Sequence, residues 1–127
     1  MTTYLVTGAN RGIGLAYCRQ LQARGDAVIA VCRTVSPELE SLGVRIEAGI
    51  ELSEESSIAE LVRRLAGCPL DGVILNAGIL HSMGLDDLDP EAIRRQFEVN
   101  ALAPLLLARA LVPQMPQEVP LIHPAPV

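Results

Sequence analysis

Tyr4-Leu5-Val6 runs directly into Thr7-Gly8-Ala9-Asn10-Arg11-Gly12-Ile13-Gly14. An apolar strand that ends in a glycine turn and opens a helix gathers unpaired backbone N–H groups and the positive end of the helix dipole at one point, which suits a phosphate. In that setting Gly8 permits the tight turn, Gly12 lets the backbone approach a pyrophosphate, and Gly14 lets the helix pack closely on the sheet. The chemistry indicated is dinucleotide binding. Which dinucleotide is decided where the second strand ends. A carboxylate there holds the ribose 2′-hydroxyl of NAD, whereas this chain has Cys32 followed by Arg33. A 2′-phosphate would meet a cation at Arg33. Arg11, inside the glycine turn, adds a second guanidinium whose fork matches phosphate oxygens. The pattern predicts NADP in preference to NAD.

Acid–base chemistry is less well served. The chain has no lysine, and its two tyrosines, Tyr4 and Tyr17, are followed four residues on by Gly8 and Leu21. Neither has a neighbouring ammonium group that would lower its pKa for proton transfer. His81 and His123 read as a loop residue and a residue of the final segment. Cys18, Cys32 and Cys68 lack metal-ligand spacing and read as buried, reduced thiols, so no metal is implied. Asn100 is the remaining polar candidate. With Ile93 and Phe97 it falls at i, i+4, i+7 on the expected buried face of the last helix. Pro104, four residues on, has no N–H, so the carbonyl of Asn100 loses its normal helical donor and is free to hold a water.

The elements that position these residues alternate along the chain. Helix one is expected from Gly12 to Arg24, with Ile13, Ala16, Tyr17 and Leu21 inward and Gly25 as its stop. Strand two, Ala27 to Cys32, is apolar without alternation, as in a strand covered on both faces. A short helical stretch near Glu38 to Leu42 leads to a weaker strand around Val44 to Ala48. Ser53 is expected to cap a helix with an Ile58, Leu61, Val62, Leu65 stripe that ends at Gly67. Gly72 to Leu75 makes strand four, and Asp89-Pro90-Glu91 starts a long helix reaching Leu111. This β-α repetition with right-handed crossovers predicts an α/β fold: a doubly wound, Rossmann-type parallel sheet of order 3-2-1-4, ending after about four strands. Residues 1–112 would form that unit. Residues 113–127, crowded with prolines, would be an extended or disordered tail, with Val119 to Ile122 as the remnant of a fifth strand held at an edge by Pro120.

Composition narrows the partners. A net charge of −5 without a basic stripe argues against nucleic acid and anionic membranes, and favours a small soluble ligand. The longest apolar stretch, Ala101 to Ala108, contains Pro104 and is too short to cross a bilayer. With no basic-then-apolar leader pattern at the N-terminus, the expected location is the cytoplasm. Aromatic residues are only 2% of the chain, so the core must be aliphatic.

The spacing G-x-x-x-G-x-G with Thr7 in front resembles the short-chain dehydrogenase/reductase family of nicotinamide-dependent oxidoreductases. Asn76-Ala77-Gly78 is similar to that family's Asn-Asn-Ala-Gly motif, with Leu75 in place of the first Asn. Glu51-Leu52 stands where the family has an Asp-hydrophobic pair touching the adenine. The resemblance runs from Thr3 to Met115. Arg19-Gln20-Leu21, Val31-Cys32-Arg33 and Leu105-Leu106-Leu107 look most like its C-factor and sniffer-type carbonyl reductase branch. It implies that Asn100 belongs to a catalytic Asn-Ser-Tyr-Lys tetrad, its carbonyl anchoring a water in a proton relay. The Ser, Tyr and Lys of that tetrad have no counterpart in this chain.

The resemblance thus implies the NADP-binding portion of an oxidoreductase whose full-length relatives act on small carbonyl or alcohol substrates by hydride transfer, the chain itself being inactive. The alternatives are a non-enzymatic nucleotide-binding or interaction module, or a truncated product without function. In the resembled family the helix corresponding to Glu91–Leu111 helps form the subunit contact, which implies self-association through Leu102, Leu105, Leu106 and Ala110.

Overall fold

The computed structural model describes residues 2–116 and Leu121–Ile122. Five strands, β1 (Thr3–Thr7), β2 (Ala27–Val31), β3 (Arg45–Glu47), β4 (Gly72–Ile74) and β5 (Leu121–Ile122), form one parallel sheet in the order β3-β2-β1-β4-β5. The 3-2-1-4 order is as the β-α repetition requires. The sheet also continues past strand four: Leu121 pairs with Val73 and Ile122 with Ile74, so a two-residue strand borders β4. Residues 117–120 and 123–127 lie outside the described residues, and with them Val119, Pro120, His123 and most of the expected tail.

Strand residues alternate between two cores because successive side chains of a pleated strand point to opposite faces. Leu5, Ile29, Val31 and Val73 pack with Ile58 and Leu61 of α3 (Glu55–Arg64), its C-cap Leu65, and Leu107 and Leu111 of α5 (Ala103–Leu111). Val6, Val28, Ala30 and Ile74 pack on the other face with Leu15, Cys18 and Leu21 of α1 (Gly12–Ala23) and Leu39 of α2 (Pro37–Glu40). Burying each such leucine contributes roughly 1.5–3 kcal/mol. The fully buried core is aliphatic, with Tyr4 and Tyr17 packed half-buried at the margin of the second cluster. Among the described residues no helix is long and apolar enough to cross a membrane.

Four local expectations are corrected. The buried face of α1 is Gly14, Leu15, Cys18 and Leu21, while Ile13 is exposed. Gly14 sets this phase, because the helix must press its glycine against the Gly8 carbonyl. Ser53 does not cap α3; Glu54 holds that position, and the Ser53 hydroxyl donates to Glu51 Oε1 at 3.0 Å instead. Cys68 is half-buried, not buried like Cys18 and Cys32.

The fourth correction concerns the long helix. Asp89 caps α4 (Pro90–Phe97) by accepting from the N–H of Glu91 at 3.1 Å, as the sequence indicates. The helix then widens into a π turn over Glu98–Leu102 before α5 begins. Pro104 causes it. Its ring crowds the preceding turn and it offers no N–H to Asn100, so the ladder shifts and Ala103 N–H reaches Glu98 O, five residues back. The extra residue rephases the helix. Val99, Ala103, Leu107 and Leu111 line the core, whereas Ile93 and Phe97 are exposed and not on a buried face.

Candidate functional site

The carboxyl ends of β1, β2 and β4 open into one cleft of about 550 Å³, lined by parts of the segments that follow β1, β2, β3 and β4. Gly8 has φ +63° and Gly12 φ +57°, both in the left-handed region that favours glycine. A Cβ on Gly8 would stand 2.8 Å from Ala77 Cα, whereas one on Gly12 would meet nothing within 4 Å. The first glycine therefore admits a neighbouring loop, and the second faces open space. Arg11, at the N-cap of α1, makes no side-chain cap bond, and the first turn holds no acidic residue. The leading N–H groups and the positive end of the dipole are left for an outside anion.

Two hydrogen bonds sew the glycine turn to the loop after β4. The Ala77 N–H donates to Thr7 Oγ1 at 3.1 Å, and Asn76 Nδ2 donates to the Gly8 carbonyl at 3.3 Å. Asn10 ties the same turn to the loop after β2: its Oδ1 accepts the Ser36 N–H at 2.5 Å and its carbonyl accepts the Ser36 hydroxyl at 2.7 Å. Ser36 also caps α2 by accepting the Leu39 N–H. Three loops are thereby held in one arrangement.

Gly8, Asn10, Arg11, Gly12, Ile13, Arg33, Glu51, Leu52, Asn76, Ala77 and Gly78 all border the cleft. Thr7 and Gly14 do not. Both are buried behind the turn and support it. Asn100 is also set back: its Oδ1 accepts the Ile79 N–H at 2.8 Å and its Nδ2 donates to the Ile79 carbonyl at 2.7 Å. This pair of hydrogen bonds fixes the path of the chain just after Gly78, where an added Cβ would come within 3.3 Å of Asn100 Oδ1.

Glu51 is the most connected charge in the cleft. Its Oε1 accepts the Ser53 N–H at 3.3 Å and hydroxyl at 3.0 Å, and its Oε2 lies 3.5 Å from Arg33 Nη1 and 3.8 Å from Arg95 Nη2. Burial pushes its carboxyl pKa up, but the Ser53 hydrogen bonds and the two guanidinium charges outweigh burial and hold it below the usual glutamate value. Cys32, at the floor beside Arg33, has its thiol pKa raised by burial, so it is an unreactive wall. Thr34, Ile50, Arg95 and Val99 border the cleft without having been singled out in the sequence. Arg95 and Val99 are one helical turn apart and share the face that the π turn aims at the sheet edge, a direction that helical spacing alone does not give.

An open parallel sheet with a ligand-sized cleft at the carboxyl ends of its strands, beside a glycine turn at a helix N-terminus, defines a dinucleotide-binding α/β protein. The short chain dehydrogenase family model matches residues 2–120. The chain belongs to that family. It is 38% identical over 115 residues to 1-hydroxy-2-glutathionyl-2-methyl-3-butene dehydrogenase of Rhodococcus sp. (strain AD45), covering 89% of this chain and 51% of the relative. Among solved structures it is similar to a short chain dehydrogenase from Burkholderia cenocepacia J2315 in complex with NADP (29% identity, TM-score 0.78, 90% of this chain and 51% of that one). It is also similar to a blue fluorescent protein from a metagenomic library in complex with NADPH (26% identity, TM-score 0.81, 94% and 53%). The chain spans about half the length of the relatives it matches.

Proposed function

We propose that this chain is the NADP-binding portion of a short-chain oxidoreductase that acts on a small carbonyl or alcohol substrate. The observation that carries the reading is the cleft itself: an uncapped helix N-terminus over the open side of Gly12, flanked by Arg11 and Arg33, with no carboxylate at the end of β2. When bound, the cofactor would supply the hydride. The glycine turn would hold its pyrophosphate, Arg33 and Arg11 its 2′-phosphate, and Glu51, Leu52 and Asn76-Ala77-Gly78 its adenine and ribose. Asn100 would keep the loop beyond Gly78 at the right depth for the cofactor. The complexes of the two solved relatives with NADP and NADPH support the same choice.

Calorimetric titration of the purified chain with NADPH and NADH tests the reading. NADPH should bind more tightly, and Arg33→Ala should weaken NADPH selectively by about 1–2 kcal/mol, as expected for a charge-assisted contact. Equal affinity, or a preference for NADH, overturns it.

The reading includes self-association. Ile93 (46% exposed) and Phe97 (61%) on α4, and Leu105 (67%) on α5, leave apolar surface along the helical arm. Size-exclusion chromatography should show species larger than the 13.6 kDa chain, with Phe97→Ser shifting them toward monomer. A compact monomer at all concentrations would instead favour a second reading, a nucleotide-binding module without an enzymatic role, which the missing lysine also suits.

A further inference from the structure

Arg95 is the charged residue of the cleft to which the reading above gives no role. It projects from α4, across the cleft from the β2 end that carries Arg33, and both guanidinium groups reach the same carboxylate oxygen, Glu51 Oε2. The geometry at Glu51 makes that sharing consequential. Ser53 holds Oε1 with two hydrogen bonds, and the Glu51 N–H donates to Ser57 Oγ at 2.7 Å, so the residue is fixed and only Oε2 remains to be divided between the arginines. A carboxylate 3.5 Å from Arg33 opposes a 2′-phosphate twice over. It occupies the guanidinium the phosphate needs, and its own charge repels the phosphate.

We propose that Arg95 is a positioning residue that sets selectivity for a 2′-phosphorylated adenine dinucleotide: as a second partner at 3.8 Å it competes with Arg33, at 3.5 Å, for Glu51 Oε2, so that the carboxylate can turn to Arg95 when the Arg33 fork takes the phosphate. As a half-exposed ion pair the Arg95–Glu51 contact adds little to stability. Its effect lies in what it frees. Without Arg95, Glu51 has only Arg33 to pair with, and the phosphate must displace a full salt bridge. The proposal rests on the NADP reading and adds a residue outside the glycine turn and the β2 end to the determinants of selectivity.

Calorimetric titration with NADPH and NADH, on the 127-residue chain and on Arg95→Met, Arg95→Lys, Glu51→Gln and the Arg95→Met/Glu51→Gln double variant, tests it. Arg95→Met should weaken NADPH about fivefold while changing NADH less than about twofold, and Arg95→Lys should retain most of the parent affinity. The double variant should return to within about twofold of Glu51→Gln alone, because the competing carboxylate is gone. A structural defect caused by losing the Arg95 side chain would instead persist when Glu51 is also changed, and would weaken both cofactors alike. Equal losses for both cofactors in Arg95→Met, or a double variant no better than Arg95→Met, overturn the proposal. A parent chain that prefers NADH, or binds neither cofactor, fails earlier and takes the NADP reading down with it.

Discussion

Replacing Gly14 with alanine is expected to cost about 3 kcal/mol or more, a large share of the stability of a domain this size. An alanine Cβ there would stand 2.7 Å from both the Gly8 carbonyl carbon and Asn76 Nδ2, and closer still to the Gly8 oxygen. The opposing atoms are mostly backbone and cannot swing aside. α1 would have to lift off the sheet, taking Leu15, Cys18 and Leu21 out of their core. Gly12→Ala makes the informative contrast. It meets no atom within 4 Å and pays only for φ +57°, about 1–2 kcal/mol, so it should fold while narrowing the approach to the phosphate site. Thermal melts followed by circular dichroism separate the two. A Gly14→Ala chain melting within a few degrees of its parent would show that the close approach of α1 to the glycine turn does not hold the fold.

The second large effect is kinetic. The purified 127-residue chain should bind NADPH without oxidising it in proportion to any carbonyl substrate. Carbonyl reduction needs a proton delivered to the developing alkoxide, and a positioned general acid contributes about 10²–10⁴-fold. Tyr4 lies on β1 and Tyr17 on α1, neither borders the cleft, and the chain has no lysine. Carbonyl-dependent NADPH oxidation by a preparation free of host reductases would defeat this expectation. His81, exposed on the loop after β4 with its N–H donating to Gln96 Oε1, would then be the first acid to replace.

What was legible in the sequence was whatever a single residue type dictates. The glycines at Gly8, Gly12 and Gly14 specify a tight strand-to-helix turn, and the unbroken apolar runs at Leu5-Val6 and Val28 to Val31 specify a doubly covered sheet. Those readings needed no knowledge of neighbours. The inward face of α1 was misplaced because apolar periodicity alone cannot show that a glycine must point at a carbonyl. Ile93 and Phe97 fall on a buried face only if straight helical phase is carried through Pro104. The proline was visible, but the π turn it induces rotates everything before it. Arg95 went unread for the same reason: its approach to Glu51 depends on how α4 is aimed, which only the packed structure specifies.

Strand order also dictates a sequence of events. β1 is made first and sits at the centre of the sheet, and its β2 side can close after one helix. Its β4 side waits for a partner far along the chain: Asn76 and Gly8 are separated by 68 residues. Closing a loop of that length is the slow, entropically opposed part of assembly. The glycine turn and the Arg33 loop can therefore be in place while the wall formed by Asn76, Ala77 and Gly78 is still absent. The cleft is complete only once β4 has docked on β1, so affinity for a dinucleotide should report on that long-range closure and not on the glycine turn alone.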